Sequence, residues 1–234
     1  MKAFRTALLF VVVLGVIAAG AASFWLGRGV KLAVERYAPG IVGAPVTVGA
    51  VMVAPWSGRG TVTNLIIGNP PGFNGAHALS VGSVEIDIKL SSLVTDTIVV
   101  ESVVVRDPEV LFELGSSGNN LSRLQRNAEE AKAAGADASG RSRGGKSLFI
   151  KDLIVTGGQV GLSVSALGAQ GVKIPLPGVH LSNIGGKGRS PAEAASEVLG
   201  AIAASAGKAV GPKVLDAAVS TFMGRLGGLL KGGR

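Results

Sequence analysis

The chain has 234 residues, of which 47% are hydrophobic, 16% charged and 4% aromatic, and its formal net charge is +8. It has no cysteine, which excludes disulfides, thiolate nucleophiles and cysteine-ligated metals. Residues 37–114 hold seven acidic and three basic side chains, so the positive charge lies outside this central part. Nucleic-acid binding normally combines a basic face with stacking aromatics or a known motif. We therefore expect no nucleic-acid partner.

The first predicted element is a membrane anchor. The stretch "TALLFVVVLGVIAAGAASFWL", Thr6–Leu26, carries no charge and is long enough to cross a bilayer core of ~30 Å at ~1.5 Å per residue. The alternative is a signal peptide cleaved after Ala19-Gly20-Ala21, but the apolar run continues through an interfacial tryptophan, which favours an uncleaved anchor. The predicted anchor residues are Phe10, Val13, Ile17, Phe24 and Trp25. The simplest topology keeps the short basic N-terminus in the cytoplasm and exports the rest.

Short segments rich in β-branched residues follow the anchor and are bounded by Gly, Pro, Asn or Asp, which is typical of strands. The predicted strands of this part are Val46–Val53, Thr61–Ile67, Val84–Leu90, Ile98–Val105 and Val110–Leu114. The strictest alternation is "VEIDIKL". It places one apolar set on one face, with Glu85, Asp87 and Lys89 on a solvated opposite face. That apolar set is Val84, Ile86, Ile88 and Leu90.

Two segments interrupt the strands. Asn69-Pro70-Pro71-Gly72 is predicted to be a loop, because two prolines fix φ and remove ladder donors. From Gly115 to Lys146 the composition changes, and the sequence predicts a short charged helix over Leu121–Ala134. The Gly/Ser/Arg-rich stretch Ala136–Gly145 is predicted to be a flexible linker.

Strands then resume at Leu148–Thr156, and Gly157-Gly158 is predicted to be a hairpin turn into Gln159–Ser165. Two further short strands are predicted at Gly171–Ile174 and Gly178–Asn183. In "QVGLSVS" the alternation returns. Its apolar face is formed by Val160, Leu162 and Val164.

The C-terminal part is predicted to be a helical pair. Ser190-Pro191-Ala192-Glu193 is a capping-box signature with proline at the first helical position, and it predicts a helix to about Ala209. Pro212 ends it, and a second helix is predicted over Lys213–Leu230 with an apolar stripe along one side. This helix packs on the sheet, lies on anionic lipid, or binds a partner.

No pattern of catalytic or metal-binding residues is apparent. His77 and His180 are the only histidines, and neither has a companion at metal-ligand spacing. No nucleophile-elbow or cofactor motif occurs. We therefore expect a protein without enzymatic activity, metal or cofactor.

Three stretches within about residues 40–130 together carry a family resemblance: "VTVGAVMVAPWSGRGTVTNLIIGNPPGF", "ALSVGSVEIDIKLSSLVTDTIVVESVVVRDPEVLFE" and "GNNLSRLQRNAEEA". They resemble the AsmA-like family of bacterial envelope proteins. Its recurring positions are Asn69, Pro70, Leu93, Pro108, Asn120 and Leu121. A fainter likeness links the "NP" turn to the LEA-2 (water-stress) sandwich domain. The AsmA-like resemblance implies an inner-membrane anchor, a β-sheet groove in the periplasm and, in longer members, transport of phospholipid along that groove. This chain has room for one or two repeats.

The predicted fold is mainly β, with an N-terminal transmembrane helix, a curved antiparallel sheet, groove or sandwich, and a C-terminal helical pair. The predicted domains are 1–36 (anchor and juxtamembrane helix), 37–114 (first β part), 115–146 (helix and linker), 147–189 (second β part) and 190–234 (C-terminal helices). The apolar sheet face either holds lipid or forms an ordinary core. In the first case the predicted lipid-binding residues are Val84, Ile86, Ile88, Leu90, Val160, Leu162 and Val164. The predicted partners are membrane lipid and, in the alternative function of an assembly protein, a second copy or an envelope protein bound through sheet edges and the C-terminal helix.

Overall fold

The computed structural model describes residues 2–115, 118–135, 146–164, 169–186 and 189–211, with the backbone alone over 2–19, 163–164 and 169–172 and at 132, 134 and 135. The helices within these residues are α1 (Lys2–Val42), α2 (Asn120–Gly135) and α3 (Pro191–Val210). The strands are β1 (Val46–Ala54), β2 (Arg59–Ile67), β3 (Leu79–Ile88), β4 (Thr97–Gly115), β5 (Gly118–Asn119), β6 (Ser147–Thr156), β7 (Gln159–Val164), β8 (Ala169–Pro175) and β9 (Val179–Gly185). A short 3-10 helix covers Leu90–Val94. The mainly β prediction is confirmed.

All nine strands belong to one sheet, in the order β1-β2-β3-β4-β6-β9 with β7 beside β4 and β8 beside β7. The sheet is mixed, because β4 pairs in parallel with both β6 and β7. The prediction of an antiparallel sheet is therefore wrong at this one junction. Two predicted strands, Ile98–Val105 and Val110–Leu114, are parts of the single 19-residue strand β4.

Gly157-Gly158 is not a hairpin turn. Each paired residue of β4, from Thr97 to Leu114, lies opposite the residue 50 positions later in the chain, from Ser147 to Val164. The strands β6 and β7 are thus one continuous row laid along β4, and β8 and β9 form a second continuous row antiparallel to it. A parallel neighbour needs a long crossover, and the segment containing α2 supplies it.

A line of backbone irregularities crosses the whole sheet. Asn64, Asp107 and Gly157 have φ of 52°, 50° and 69°, in the left-handed region, and the strand registers place them at one level. Each row has one residue at that level: Gly49, Asn64, Gly82, Asp107, Gly157 and Pro177. Because every row has such a residue, no row gains a residue over its neighbours and the register continues unchanged across this level, which is called the bend below. The apolar residues on either side are therefore three positions apart, as in Val62 and Leu65, and stay on one face.

The three helices cover part of that apolar face. Leu121 and Leu124 of α2 and Leu199 and Ile202 of α3 are buried in the same core as the sheet residues. α2 and α3 pack against each other, and α3 also contacts β9, β6 and β7. Burying each such side chain contributes about 1.5–3 kcal/mol, so the helices and the sheet stabilise one another.

Both helix predictions that fall on described residues are confirmed. α2 spans the predicted Leu121–Ala134, and Asn119 Oδ1 accepts from Ser122 N at 2.8 Å near its start. α3 begins with the predicted capping box: Ser190 Oγ accepts from Glu193 N, and Glu193 Oε2 accepts from Ser190 N at 2.8 Å. The predicted linker at 136–145 and the predicted helix at 213–230 lie outside the described residues.

Candidate lipid-binding face

The predicted lipid-binding residues lie on one face of the sheet but at two depths. Val84 is buried, whereas Ile86 and Ile88 are half-buried. Leu90 is not part of the strand, because β3 ends at Ile88 and Leu90 begins the 3-10 helix, where its side chain is 38% exposed.

The second predicted set sits across the bend from the first. Val160 and Leu162 are fully buried in the core shared with α2 and α3. The backbone of Val164 belongs to β7 and pairs with Leu114, while its side chain lies outside the described residues. Val160 and Leu162 thus belong to a closed core rather than to an accessible surface.

Coverage of the apolar face ends between β4 and β3. α2 and α3 contact β4 and the rows beyond it, whereas within the described part of the chain no helix packs broadly against β2 or β3. The half-buried apolar side chains of this region are Val62, Ile86, Ile88 and, across the sheet, Leu148. An uncovered stretch of aliphatic side chains favours contact with another apolar group over contact with water.

The opposite face is polar, as the alternation of β3 predicts. Its cross-strand pairs are Glu85–Arg106 (3.0 Å), Arg59–Asp87 (3.8 Å), Glu101–Lys151 (2.5 Å), Glu109–Lys173 (2.8 Å) and Asp152–His180 (2.6 Å). The bond from Arg106 lowers the pKa of the Glu85 carboxyl, and the bond from Lys173 lowers that of Glu109. These exposed pairs each contribute little stability, but they keep this face in water. The sheet is amphipathic across its thickness.

The outer edge of β1 is covered by α1. Glu35 Oε1 accepts from Val48 N at 2.9 Å, and Lys31 Nζ donates to Gly49 O at 3.0 Å. At Gly27 a Cβ would lie 2.1 Å from Val51 O, so glycine is what permits this close approach. Edge strands are templates for pairing with other chains, and α1 satisfies two of the free backbone groups here.

Sequence reasoning missed a buried polar network beneath the Asn-Pro loop. Glu113 is fully buried; its Oε1 accepts from Asn74 N at 2.9 Å. Its Oε2 accepts from Gly75 N at 2.8 Å and from Asn69 Nδ2 at 3.2 Å. Asn120 joins the network, since its Nδ2 donates to Asn69 Oδ1 at 2.8 Å and its Oδ1 accepts from Glu113 N at 3.0 Å. The signal in the sequence was Glu113, an acidic residue inside the otherwise apolar predicted strand Val110–Leu114.

This network gives a structural reason for two positions of the family resemblance. Asn69 and Asn120 are 51 residues apart in sequence, yet they hydrogen-bond to each other and to Glu113. Buried polar groups need partners, and here the partners fasten the loop at 69–75 to the end of β4. The network therefore links two parts of the fold that are distant in sequence.

The histidines do not form a site. His180 Nε2 lies 2.6 Å from Asp152 Oδ1 on the polar face, and the buried Nε2 of His77 has no hydrogen-bond partner among the described residues. No group of three or more potential metal ligands occurs in the described part of the chain.

The predicted anchor lies only partly within the residues whose side chains are described. The side chains of Phe10, Val13 and Ile17 lie outside the described residues. Phe24 and Trp25 are 65% and 70% exposed and form an edge-to-face pair with ring centroids 6.3 Å apart. Among the residues described, no helix combines the length and hydropathy needed to cross a bilayer.

No protein-family model matches the chain, and no curated protein shows significant sequence similarity to it.

Proposed function

We propose that this protein is a non-enzymatic, single-pass membrane protein of the bacterial envelope whose body lies in the periplasm and binds phospholipid acyl chains on its apolar sheet face. The AsmA-like resemblance supplies the compartment and the lipid class. The observation that carries the proposal is the half-buried apolar region at Ile86 and Ile88, on which no helix of the described residues packs broadly and which lies between a closed core on one side and α1 on the other.

The chemistry of the sheet fits an acyl chain better than a polar ligand. This region consists of valine, isoleucine and leucine side chains, and the cross-strand ion pairs of the described sheet lie on the opposite face. Each methylene removed from water contributes about 0.8 kcal/mol, so several methylenes laid across this region would bind without any specific polar contact. Such a site distinguishes lipids by the length of their acyl chains rather than by their headgroups.

The test compares two substitutions on opposite faces of β3. The full chain is purified in a gentle detergent, and bound phospholipid is counted by native mass spectrometry. Ile88→Asp places a carboxylate beside the acyl chains and should remove most of the bound phospholipid while the protein stays folded, because Ile88 is only half-buried and lies at the strand end. Asp87→Ile, on the polar face, should keep the lipid.

A second variant covers the case in which Ile88→Asp fails to fold. Ile88→Trp keeps the site apolar but fills it, and should also displace lipid. If the wild type carries no phospholipid, or a folded variant of Ile88 keeps the full complement, the proposed lipid site is refuted.

An assembly protein is the second candidate. The observation that favours it is the outer row of the sheet, since β9 pairs only with β6 and β8 only with β7 among the described strands. Their free backbone groups are a template for another strand. A single large symmetric mass in detergent without bound lipid would favour this candidate over the first.

A further inference from the structure

Three exposed apolar side chains lie at one end of the sheet. Trp56, in the turn between β1 and β2, is 64% exposed, and Leu93 and Val94 in the 3-10 helix are 43% and 88% exposed. The turn and the 3-10 helix are neighbours, because Ile88 N, at the end of β3, donates to Gly58 O at 2.9 Å, and a Cβ at Gly58 would lie 3.3 Å from Leu90 Cδ2. Large apolar side chains presented together in this way mark a contact surface. We call Trp56, Leu93 and Val94 the apolar tip.

The direction of α1 shows what the apolar tip faces. Glu35 of α1 contacts Val48 of β1, and Gly27 of α1 contacts Val51. The helix therefore runs along β1 in the opposite direction to the strand. Eight helix residues cover ~12 Å and three strand residues cover ~10 Å, so the two axes run nearly parallel. The N-terminal part of α1 therefore continues past the same end of the sheet that carries the tip.

The rises per residue of helix and strand also give the relative positions of Trp25 and Trp56 along α1. Trp25 lies two residues from Gly27, about 3 Å along the helix. The β1–β2 turn lies about 10 Å beyond Val51 along the strand. Trp56 is thus several Å farther than Trp25 in the direction in which α1 leaves the sheet.

The charges around the tip are nearly balanced. Its basic neighbours are Arg59, Lys89 and Lys146, and its acidic neighbours are Asp87 and Asp96. Arg59 pairs with Asp87 at 3.8 Å, and the Lys146 ammonium donates to the Leu93 carbonyl. An exposed tip with so little net charge suits the headgroup–acyl boundary of a bilayer, where tryptophan is the preferred aromatic residue, rather than a strongly acidic partner.

We propose that the apolar tip inserts into the interfacial layer of the membrane that holds α1, so that the uncovered apolar face of β3 begins at the bilayer surface. The proposal rests on the anchored topology of the proposed function. It adds a second membrane contact, made by the body, through which acyl chains can pass between bilayer and sheet without crossing water.

Two single-tryptophan variants test this directly, since the chain has two tryptophans. Trp25→Phe leaves Trp56 as the reporter, and Trp56→Phe leaves Trp25. The full chains are reconstituted into phosphatidylcholine vesicles brominated either near the headgroup or near the chain end. We expect Trp56 emission to fall at least about twofold with the shallow bromines, and to be quenched at a depth equal to or greater than that of Trp25.

The two reporters separate failure of the tip from failure of the anchor. If Trp25 is quenched and Trp56 is not, the tip is refuted while the anchor stands. If neither is quenched, both are refuted. If Trp56 escapes lipid quenching and is also shielded from aqueous iodide, a protein covers the tip, which refutes membrane insertion.

A paired substitution checks that Trp56 reports on the whole tip. Replacing Leu93 and Val94 by serine in the Trp25→Phe background should abolish most of the lipid quenching of Trp56. Ile66→Ser is the control, because Ile66 is about as exposed as Leu93 but lies on β2 on the far side of the bend. Loss of quenching in the control as well, or retention in the serine pair, would overturn the assignment.

Discussion

Replacing Glu113 by glutamine should weaken the fold far more than its size suggests. The two side chains have the same shape, but a carboxylate has two acceptor oxygens and an amide has one. Glu113 Oε1 accepts from Asn74 N, and Oε2 accepts from Gly75 N and Asn69 Nδ2. Whichever way the glutamine amide turns, its NH2 group faces at least one of these donors.

The magnitude follows from the burial of the site. A buried donor left without a partner costs about 1–3 kcal/mol, and a bond to a charged group contributes about 1.5–3 kcal/mol. Removing the charge also relieves some cost of burying it. We expect the free energy of unfolding to fall by about 2–4 kcal/mol, out of the ~5–15 kcal/mol typical of a domain.

The assay is urea unfolding followed by circular dichroism, with Glu109→Gln as the matched control. Glu109 lies four residues earlier on β4, and its bond to Lys173 is at the surface, where such pairs contribute about 0–1 kcal/mol. Hydrogen exchange should also show faster exchange in the loop at 69–75 for Glu113→Gln alone. Equal losses of stability in the two variants would refute the network as a fastening of this loop.

Three further outcomes are expected. Gly27→Ala brings a methyl group to 2.1 Å from Val51 O, so it should lower the free energy of unfolding by about 1–3 kcal/mol and speed the hydrogen exchange of β1 amides. Gly29→Ala, which has open space around it, should instead stabilise the helix slightly. The reverse order of stability would contradict the packing of α1 on β1. The hydrogen bond from Lys173 holds the pKa of Glu109 below its ordinary value of 4.5. The small contribution of this pair to stability is therefore present above pH 4.5 and is lost as the pH falls through the pKa of the folded protein. The urea midpoints of wild type and Glu109→Gln should converge in acid. Ser190→Ala should lower stability by about 0.5–2 kcal/mol through loss of the capping box, and an unchanged midpoint would show that α3 does not depend on it.

The resemblance and the exposed apolar region play different parts in the functional proposal. The resemblance points to the envelope and to phospholipid, while the half-buried side chains of β3 are the place proposed for an acyl chain. Val160 and Leu162 are ruled out as an open surface by their burial, whereas Ile86 and Ile88 remain accessible in part. The lipid experiment therefore concentrates on β3.

Local sequence patterns determined the elements of this protein. Alternation of apolar and charged residues in "VEIDIKL" identified both faces of β3, and Ser190-Pro191 with Glu193 identified the start of α3. These signals work because side-chain periodicity and helix capping depend on neighbours a few residues apart. They also placed Glu85 and Asp87 on the polar face, whereas Lys89 lies beyond the end of β3.

Only the tertiary structure decided how the elements combine. The sequence predicted a strand end at Asp107 and a hairpin turn at Gly157, yet both lie within continuous rows, because a residue that favours positive φ does not reveal whether the chain reverses or continues. The pairing of β4 with β6 and the burial of Glu113 under Asn69 join residues about 50 positions apart. Long-range contacts of this kind depend on which surfaces remain to be covered once the local elements have formed, and that choice is made by packing of the whole chain.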